Sequence, residues 1–281
     1  MAVGDLVREL IPHSLERRVR LVLEPGRAIK KLKKMRLRSQ PRYTPCTTTL
    51  LDHPTRMVDA ASFLSAYRAI FEDEIYAFEP STEAPVIIDG GANIGLATLY
   101  WKKKWPAADI TAFEPDPQVF EVFEWNCQRH GYPDVTRIRK GVWSEDTALH
   151  FCPDGADAGH VVNHSTTTSG SREEGDKGSV PVVRLARFLD QPIDLLKLDI
   201  EGAETEVLLD CEGALGTVDR LFVEYHSYVG QEQRLNELLH VLQEAGFRIH
   251  IQPELVAEKP FVQRLENHGM DHRLNIFGYR L

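Results

Sequence analysis

From Val86 to the end of the chain, short apolar runs alternate with amphipathic stretches. Val86-Ile87-Ile88, Ile110 to Phe113, Val135 to Val142, Leu195 to Leu198 and Leu221 to Val223 have the length and composition of buried strands. Val180 to Val183 reads as a weaker strand, and Phe247 to Ile251 and Leu274 to Tyr279 complete the sheet. Between these runs, Ile94 to Lys104, Asp116 to His130, Ala203 to Leu209 and Gln231 to Ala245 carry helical spacing, and Gly246 is suited to cap the last of them. Repeated β-α-β units predict an α/β fold, with a mostly parallel sheet covered by helices on both faces. In such sheets ligands bind at the carboxyl ends of the strands.

The residues before Val86 follow a different pattern. Residues 1–42 read as a basic, helical N-terminal extension punctuated by Pro12, Pro25 and Pro41. Residues 43–281 read as one domain, which opens with a cap over 43–80. That cap holds a strand-like stretch, a turn at Asp52-His53-Pro54 and a helix from Ser62 to Tyr76. Inside the core at 86–281, residues 153–179 are rich in Gly, Ser, Thr, Asp and Glu and read as a long loop.

Charge sharpens this division. Ser14 to Arg38 holds ten Lys/Arg and two Glu, in a 281-residue chain whose net charge is −9. The acidic body argues against nucleic-acid binding, which needs a basic groove. The basic segment 14–38 also carries apolar positions. It is a candidate for peripheral contact with an anionic membrane surface, or for packing on the acidic body or on a second subunit of a homo-oligomer. No run approaches the ~20 apolar residues of a membrane span, and the N-terminus lacks the apolar core of a signal peptide. Cys46, Cys127, Cys152 and Cys211 are widely spaced, which argues against a zinc site or disulfide framework and fits a reducing cytoplasm.

The first strand of the core ends in Asp89-Gly90-Gly91-Ala92-Asn93-Ile94-Gly95. Glycines here permit a tight turn and close approach of a ligand to the backbone. The spacing departs from the dinucleotide fingerprint G-x-G-x-x-G, which counts against a nucleotide-sugar dehydrogenase or epimerase. An aspartate before the glycines would repel a pyrophosphate but suits the ammonium and sulfonium of S-adenosylmethionine. The second strand ends in Phe113-Glu114-Pro115-Asp116, and a carboxylate at that place can accept hydrogen bonds from both ribose hydroxyls. Val142 and Trp143 end the third strand, where an adenine would sit.

Asp89 to Gly95, Phe113 to Asp116, Lys197-Leu198-Asp199-Ile200-Glu201-Gly202-Ala203-Glu204 and Glu224-Tyr225-His226 together resemble the FkbM-type methyltransferases. The resemblance runs from about Phe71 to Tyr279, and Ile70 to Tyr76 is similar to the segment that precedes the core in that family. It implies a class I methyltransferase, Rossmann-like fold with a seven-stranded, mostly parallel sheet. It also implies S-adenosylmethionine as donor and O-methylation of sugars, glycans or natural products such as macrolides. Tyr76, Gly90, Gly91, Ala92, Asn93, Pro115 and Asp199 then join Asp89, Glu114, Val142 and Trp143 in the expected donor site. The basic N-terminus and the long loop depart from the family pattern.

A sugar hydroxyl is a poor nucleophile while protonated, so it needs a base or a metal. Lys197 and Asp199 share one strand face by the period of two, with Glu201 at the opening of the next helix. His226 ends the following strand and faces the same cleft. Lys197, Asp199, Glu201 and His226 are therefore the candidate catalytic residues, and Glu204 is expected to cap or pair one turn into the helix. Asp199, Glu201, Glu224 and His226 could instead hold one Mg²⁺. A methyltransferase fold serving only as a binding module is the non-enzymatic rival; the intact acidic strand ends count against it.

Overall fold

The fold is known from a computed structural model, which describes residues 25–153, 159–162, 178–255, 257–262 and 269–281. Helix α1 (Pro25–Arg38) leads into a hairpin of β1 (Cys46–Leu51) and β2 (His53–Met57). The hairpin turns at Asp52, in the left-handed region with φ 74°. Helix α2 (Ala60–Tyr67) begins where the Asp59 carboxylate accepts the Ser62 amide hydrogen. The helix expected to run to Tyr76 stops earlier. After Tyr67 the chain makes one π-helical turn over Arg68–Glu72, and Glu74 then enters the left-handed region at φ 50°. Residues 1–24 of the expected extension lie outside the described residues, and so does the part of the basic segment before Pro25.

The core opens with β3 (Val86–Gly90), α3 (Leu96–Lys104), β4 (Asp109–Phe113), α4 (Pro117–His130) and β5 (Thr136–Ile138). β6 (Gly141–Trp143), β7 (Thr147–Pro153), β8 (Gly159–Val162) and β9 (Ser179–Arg184) follow. β10 (Leu195–Leu198), α5 (Glu204–Asp210), β11 (Arg220–Tyr228), α6 (Leu235–Glu244), β12 (Arg248–Pro253) and β13 (Met270–Tyr279) complete it. The seven-stranded sheet runs β12-β13-β11-β10-β3-β4-β5, with β13 alone reversed. This is the class I methyltransferase fold that the resemblance implies. The chain moves outward from β3 to β5, then returns to lay β10 against the other side of β3. The carboxyl ends of β3 and β10 therefore flank the point where strand order reverses, and a crevice opens there.

Two expectations are corrected. The run 135–142 is not one strand. Arg139 and Lys140 are exposed, the Lys140 amide folds back on the Ile138 carbonyl, and the chain turns out of the main sheet. β6 then pairs with β9 in a separate sheet ordered β6-β9-β7-β8, so the run 180–183 also belongs there. Residues 153–179 are not one loop either: Cys152 and Pro153 pair with His160 and Gly159, and Ser179 pairs with His150. Polar composition hid these strands, because ladder hydrogen bonds need no apolar side chains. Residues 154–158 and 163–177 lie outside the described residues.

Apolar clusters cover both faces of the main sheet. One joins Ile87, Leu195 and Phe222 to Phe63, Trp101 and Phe123; the other joins Ile88, Leu196 and Val223 to Val207, Leu208 and Leu242. A fully buried side chain of this size contributes about 1.5–3 kcal/mol. No helix among the described residues is long and apolar enough to cross a membrane.

Candidate active site

A cavity of about 500 Å³ occupies the crevice, within the usual range for small-ligand sites. Gly91, Lys197, Asp199, Glu201 and Glu224 line one side of it, and α2 supplies another wall through Ser62, Phe63 and Ala66. Tyr76, Ala92 and Asn93 also line it.

The glycine loop has little steric latitude. Gly91 has φ 80°, and a Cβ there would stand 1.9 Å from the Asp199 carbonyl oxygen. The Gly91 and Ala92 amides both donate to the Phe113 carbonyl, at 3.1 and 2.8 Å. Gly90 is enclosed less tightly, by Leu198, the Lys197 carbonyl and Val142. Gly91→Ala is expected to destabilise the fold by at least about 1–3 kcal/mol through overpacking alone. Urea unfolding checks this, and an unchanged midpoint would mean that the loop moves freely away from Asp199.

Glu114 braces this loop from behind. Its carboxylate accepts the Asn93 amide at 2.9 Å and the Asp116 amide at 2.8 Å. Burial nevertheless outweighs both bonds and pushes Glu114 up to about 8. A carboxyl raised in the folded state favours folding below its ordinary value of 4.5, an advantage lost as pH rises through about 8. Glu114→Gln is therefore expected to flatten the fall in stability across that window. Chemical denaturation at both ends of it is the check, and an undiminished fall would remove Glu114 as its source. Glu114, Pro115, Val142 and Trp143 stand back from the cavity lining; Pro115 packs beside Gly141, while Val142 and Trp143 join the second apolar cluster.

Asp89 also lies behind the loop and is fully buried. Its Oδ2 accepts the Thr98 hydroxyl at 3.1 Å, and its Oδ1 faces Lys197 Nζ at 3.2 Å. Lys197 Nζ donates in turn to the Gly90 and Gly91 carbonyls and stands 3.6 Å from Asp199 Oδ2. Burial opposes the lysine charge, but Asp89 and Asp199 outweigh it and hold Lys197 above its ordinary value. Lys197, expected to be catalytic, thus fastens the glycine loop to β10, and its donors are committed to that task.

Asp199 is on the cavity wall. Burial, then the Glu224 carboxylate, raises it above the ordinary aspartate value. Burial likewise lifts Glu201 to about 8. His226 Nδ1 meets Glu204 Oε1 at 3.0 Å, and Nε2 lies 3.5 Å from Glu201 and 3.6 Å from Glu224. Burial alone would lower His226, yet Glu204, Glu224 and Glu201 together raise it well above the ordinary histidine value. Glu204 is also held by the Ile200 and Gly202 amides, so the expected cap orients the histidine as well. Asp199, Glu224 and His226 each offer a ligand atom within 4.8 Å of the others; Glu201 falls outside that group.

A family model for the methyltransferase FkbM domain matches residues 89–249. The chain belongs to the FkbM methyltransferase family. This FkbM chain is 34% identical over 160 residues to methyltransferase 1 of Beauveria bassiana, a match spanning 50% of the chain and 64% of that relative's length. It is 28% identical to the 31-O-demethyl-FK506 methyltransferase FkbM of Streptomyces tacrolimicus, over 68% of the chain and 84% of that protein. It is 31% identical to the hexuronic acid methyltransferase AglP of Haloferax volcanii, over 54% of the chain and 60% of that protein.

One part of this FkbM site was not legible in the sequence. Arg273 and Asn275 come from β13, Glu254 follows β12, and all three line the cavity. Asn275 faces Glu224 across the β11–β13 ladder and is 1% exposed. Its amide nitrogen donates to Glu254 Oε1 at 2.7 Å, which turns Oδ1 away from Glu254 and leaves it without a partner. Only the alternation Arg273-x-Asn275 on one strand face hinted at this cluster.

Proposed function

We propose that this chain is an S-adenosylmethionine-dependent O-methyltransferase, acting on a hydroxyl of a sugar, a glycan or a glycosylated or polyketide natural product. The observation that carries the reading is Asp199, raised by burial and by Glu224, on the cavity wall beside Gly91. The FK506 and hexuronic-acid methyltransferases named among the relatives support a hydroxylated acceptor. The residues present fit a cationic donor: Asp199 and Glu224 line the cavity, while Lys197, His226 and Arg273 are each engaged with carboxylates around them. Tyr76, Gly91, Ala92 and Asn93 would hold the donor, with Glu114 and Val142 bracing them. When bound, S-adenosylmethionine supplies an electrophilic methyl group.

Asp199 accepts the acceptor hydroxyl's proton on a carboxylate oxygen. Burial strengthens it as a base, and a positioned base contributes ~10²–10⁴-fold to rate. His226, raised above the ordinary histidine value by Glu204, Glu224 and Glu201, orients Glu201 and Glu224 instead of acting as the base. Asn275 Oδ1 and Arg273 offer an acceptor and a donor to the substrate's other polar groups. Calorimetry should register S-adenosylmethionine and not NAD, and a hydroxyl-compound panel should yield S-adenosylhomocysteine. NAD binding in place of the donor would overturn the reading.

The grouping of Asp199, Glu224 and His226 favours a second reading, in which these residues hold Mg²⁺ and the ion lowers the hydroxyl's pKa. EDTA would then abolish turnover and Mg²⁺ restore it. Turnover indifferent to EDTA leaves Asp199 as the base.

A further inference from the structure

We propose that α1 is a docking helix for an anionic lipid surface. Its 14 residues hold seven Lys/Arg and no Asp/Glu, in a chain whose net charge is −9. The helix is seated in one orientation: Leu37 is buried, Lys33 Nζ donates to the Thr49 carbonyl at 2.9 Å, and Lys34 pairs with Glu72. Those contacts fix which face turns outward. Ile29, Leu32 and Met35 are 51%, 64% and 53% exposed, and their spacing of three residues aligns them as one stripe. Lys30, Lys31, Arg36 and Arg38 are exposed around it.

An apolar stripe rimmed by cations fits the boundary between lipid headgroups and acyl chains. The stripe enters the acyl region while the cations stay with the lipid phosphates. Nucleic acid is a poorer fit, because phosphate contacts leave the stripe in water and the body of the chain is acidic. A second copy packed face to face would set two groups of like charges against each other. Helix α1 packs on α2, and α2 walls the cavity. A surface held by α1 thus adjoins the layer that encloses the active site.

The test is co-sedimentation of the full chain with phosphatidylcholine vesicles, with and without phosphatidylglycerol. Binding is expected only to the anionic vesicles and is expected to fall as salt rises. The paired variants Leu32→Ser with Met35→Ser, and Lys31→Glu with Arg38→Glu, should each lower partitioning roughly tenfold or more. All four side chains are exposed, so circular dichroism should stay unchanged. Absent binding at low salt, or binding that neither pair alters, would overturn the proposal. So would sedimentation equilibrium showing a dimer that Leu32→Ser with Met35→Ser dissolves, since the stripe would then be covered by a second copy. None of these readouts depends on methyl transfer.

Discussion

Asp199→Asn is expected to lower kcat by about 10²–10⁴-fold, the usual contribution of a positioned base. The substitution keeps the side chain's shape and removes its capacity to take a proton. The Gly91 loop rests on the Asp199 backbone carbonyl, not on the carboxylate, so the loop should stay in place. Donor affinity by calorimetry should fall with the lost carboxylate charge, but by less than kcat. The rate is read as S-adenosylhomocysteine produced with the acceptor that the panel yields. An unchanged kcat would remove Asp199 from proton transfer and leave the carboxylate a role in binding only. His226→Gln separates positioning from base chemistry. Carboxylate neighbours hold His226 well above the ordinary histidine value, so its loss should displace Glu201 and Glu224 and weaken turnover less than Asp199→Asn does.

The second large effect is on stability. Lys197→Met should destabilise the fold by about 3–5 kcal/mol, the cost of breaking a buried ion pair from one side. Asp89 is fully buried, and its Oδ1 has Lys197 as its cation. Without the lysine, a carboxylate is stranded in an apolar layer and the Gly90 and Gly91 carbonyls lose their donor. Asp89→Asn in the Lys197→Met background should recover part of the loss, because it removes the stranded charge. Urea unfolding of both single variants and the double variant gives the coupling. Additive effects would mean that the two residues do not act as a pair. Lys197 is raised in the folded state, so this contribution is complete below the ordinary lysine range. It is lost as pH rises through the raised value.

Both expectations come from residues that the sequence nominated, yet the structure divides their work differently. Asp89, Lys197 and Asp199 all sit near strand ends on one face, a consequence of the period of two. Periodicity says nothing of depth. Lys197 is one pleat deeper than Asp199, so its ammonium reaches the loop carbonyls and Asp89, while Asp199 reaches the cavity. Glu204 looked like a helix-start carboxylate. Its contact with His226 depends on β11 lying beside β10, which no local pattern records.

The sequence by itself determined the alternation of strands and helices, the glycine turn after the first core strand and the acidic strand ends. These depend on local steric and hydrophobic patterns within a few residues. It also determined the FkbM resemblance, because those residues occur as contiguous motifs. Only the tertiary structure decided that β6 and β9 leave the main sheet, since pairing partners are chosen by packing between distant segments. It alone brought Arg273, Asn275 and Glu254 to the cavity, because β13 inserts antiparallel beside β11 and carries them across from Glu224. Distance in the chain hides such neighbours. The sheet register brings them together, and the burial that results raises Asp199 and Glu201 on the same cavity wall.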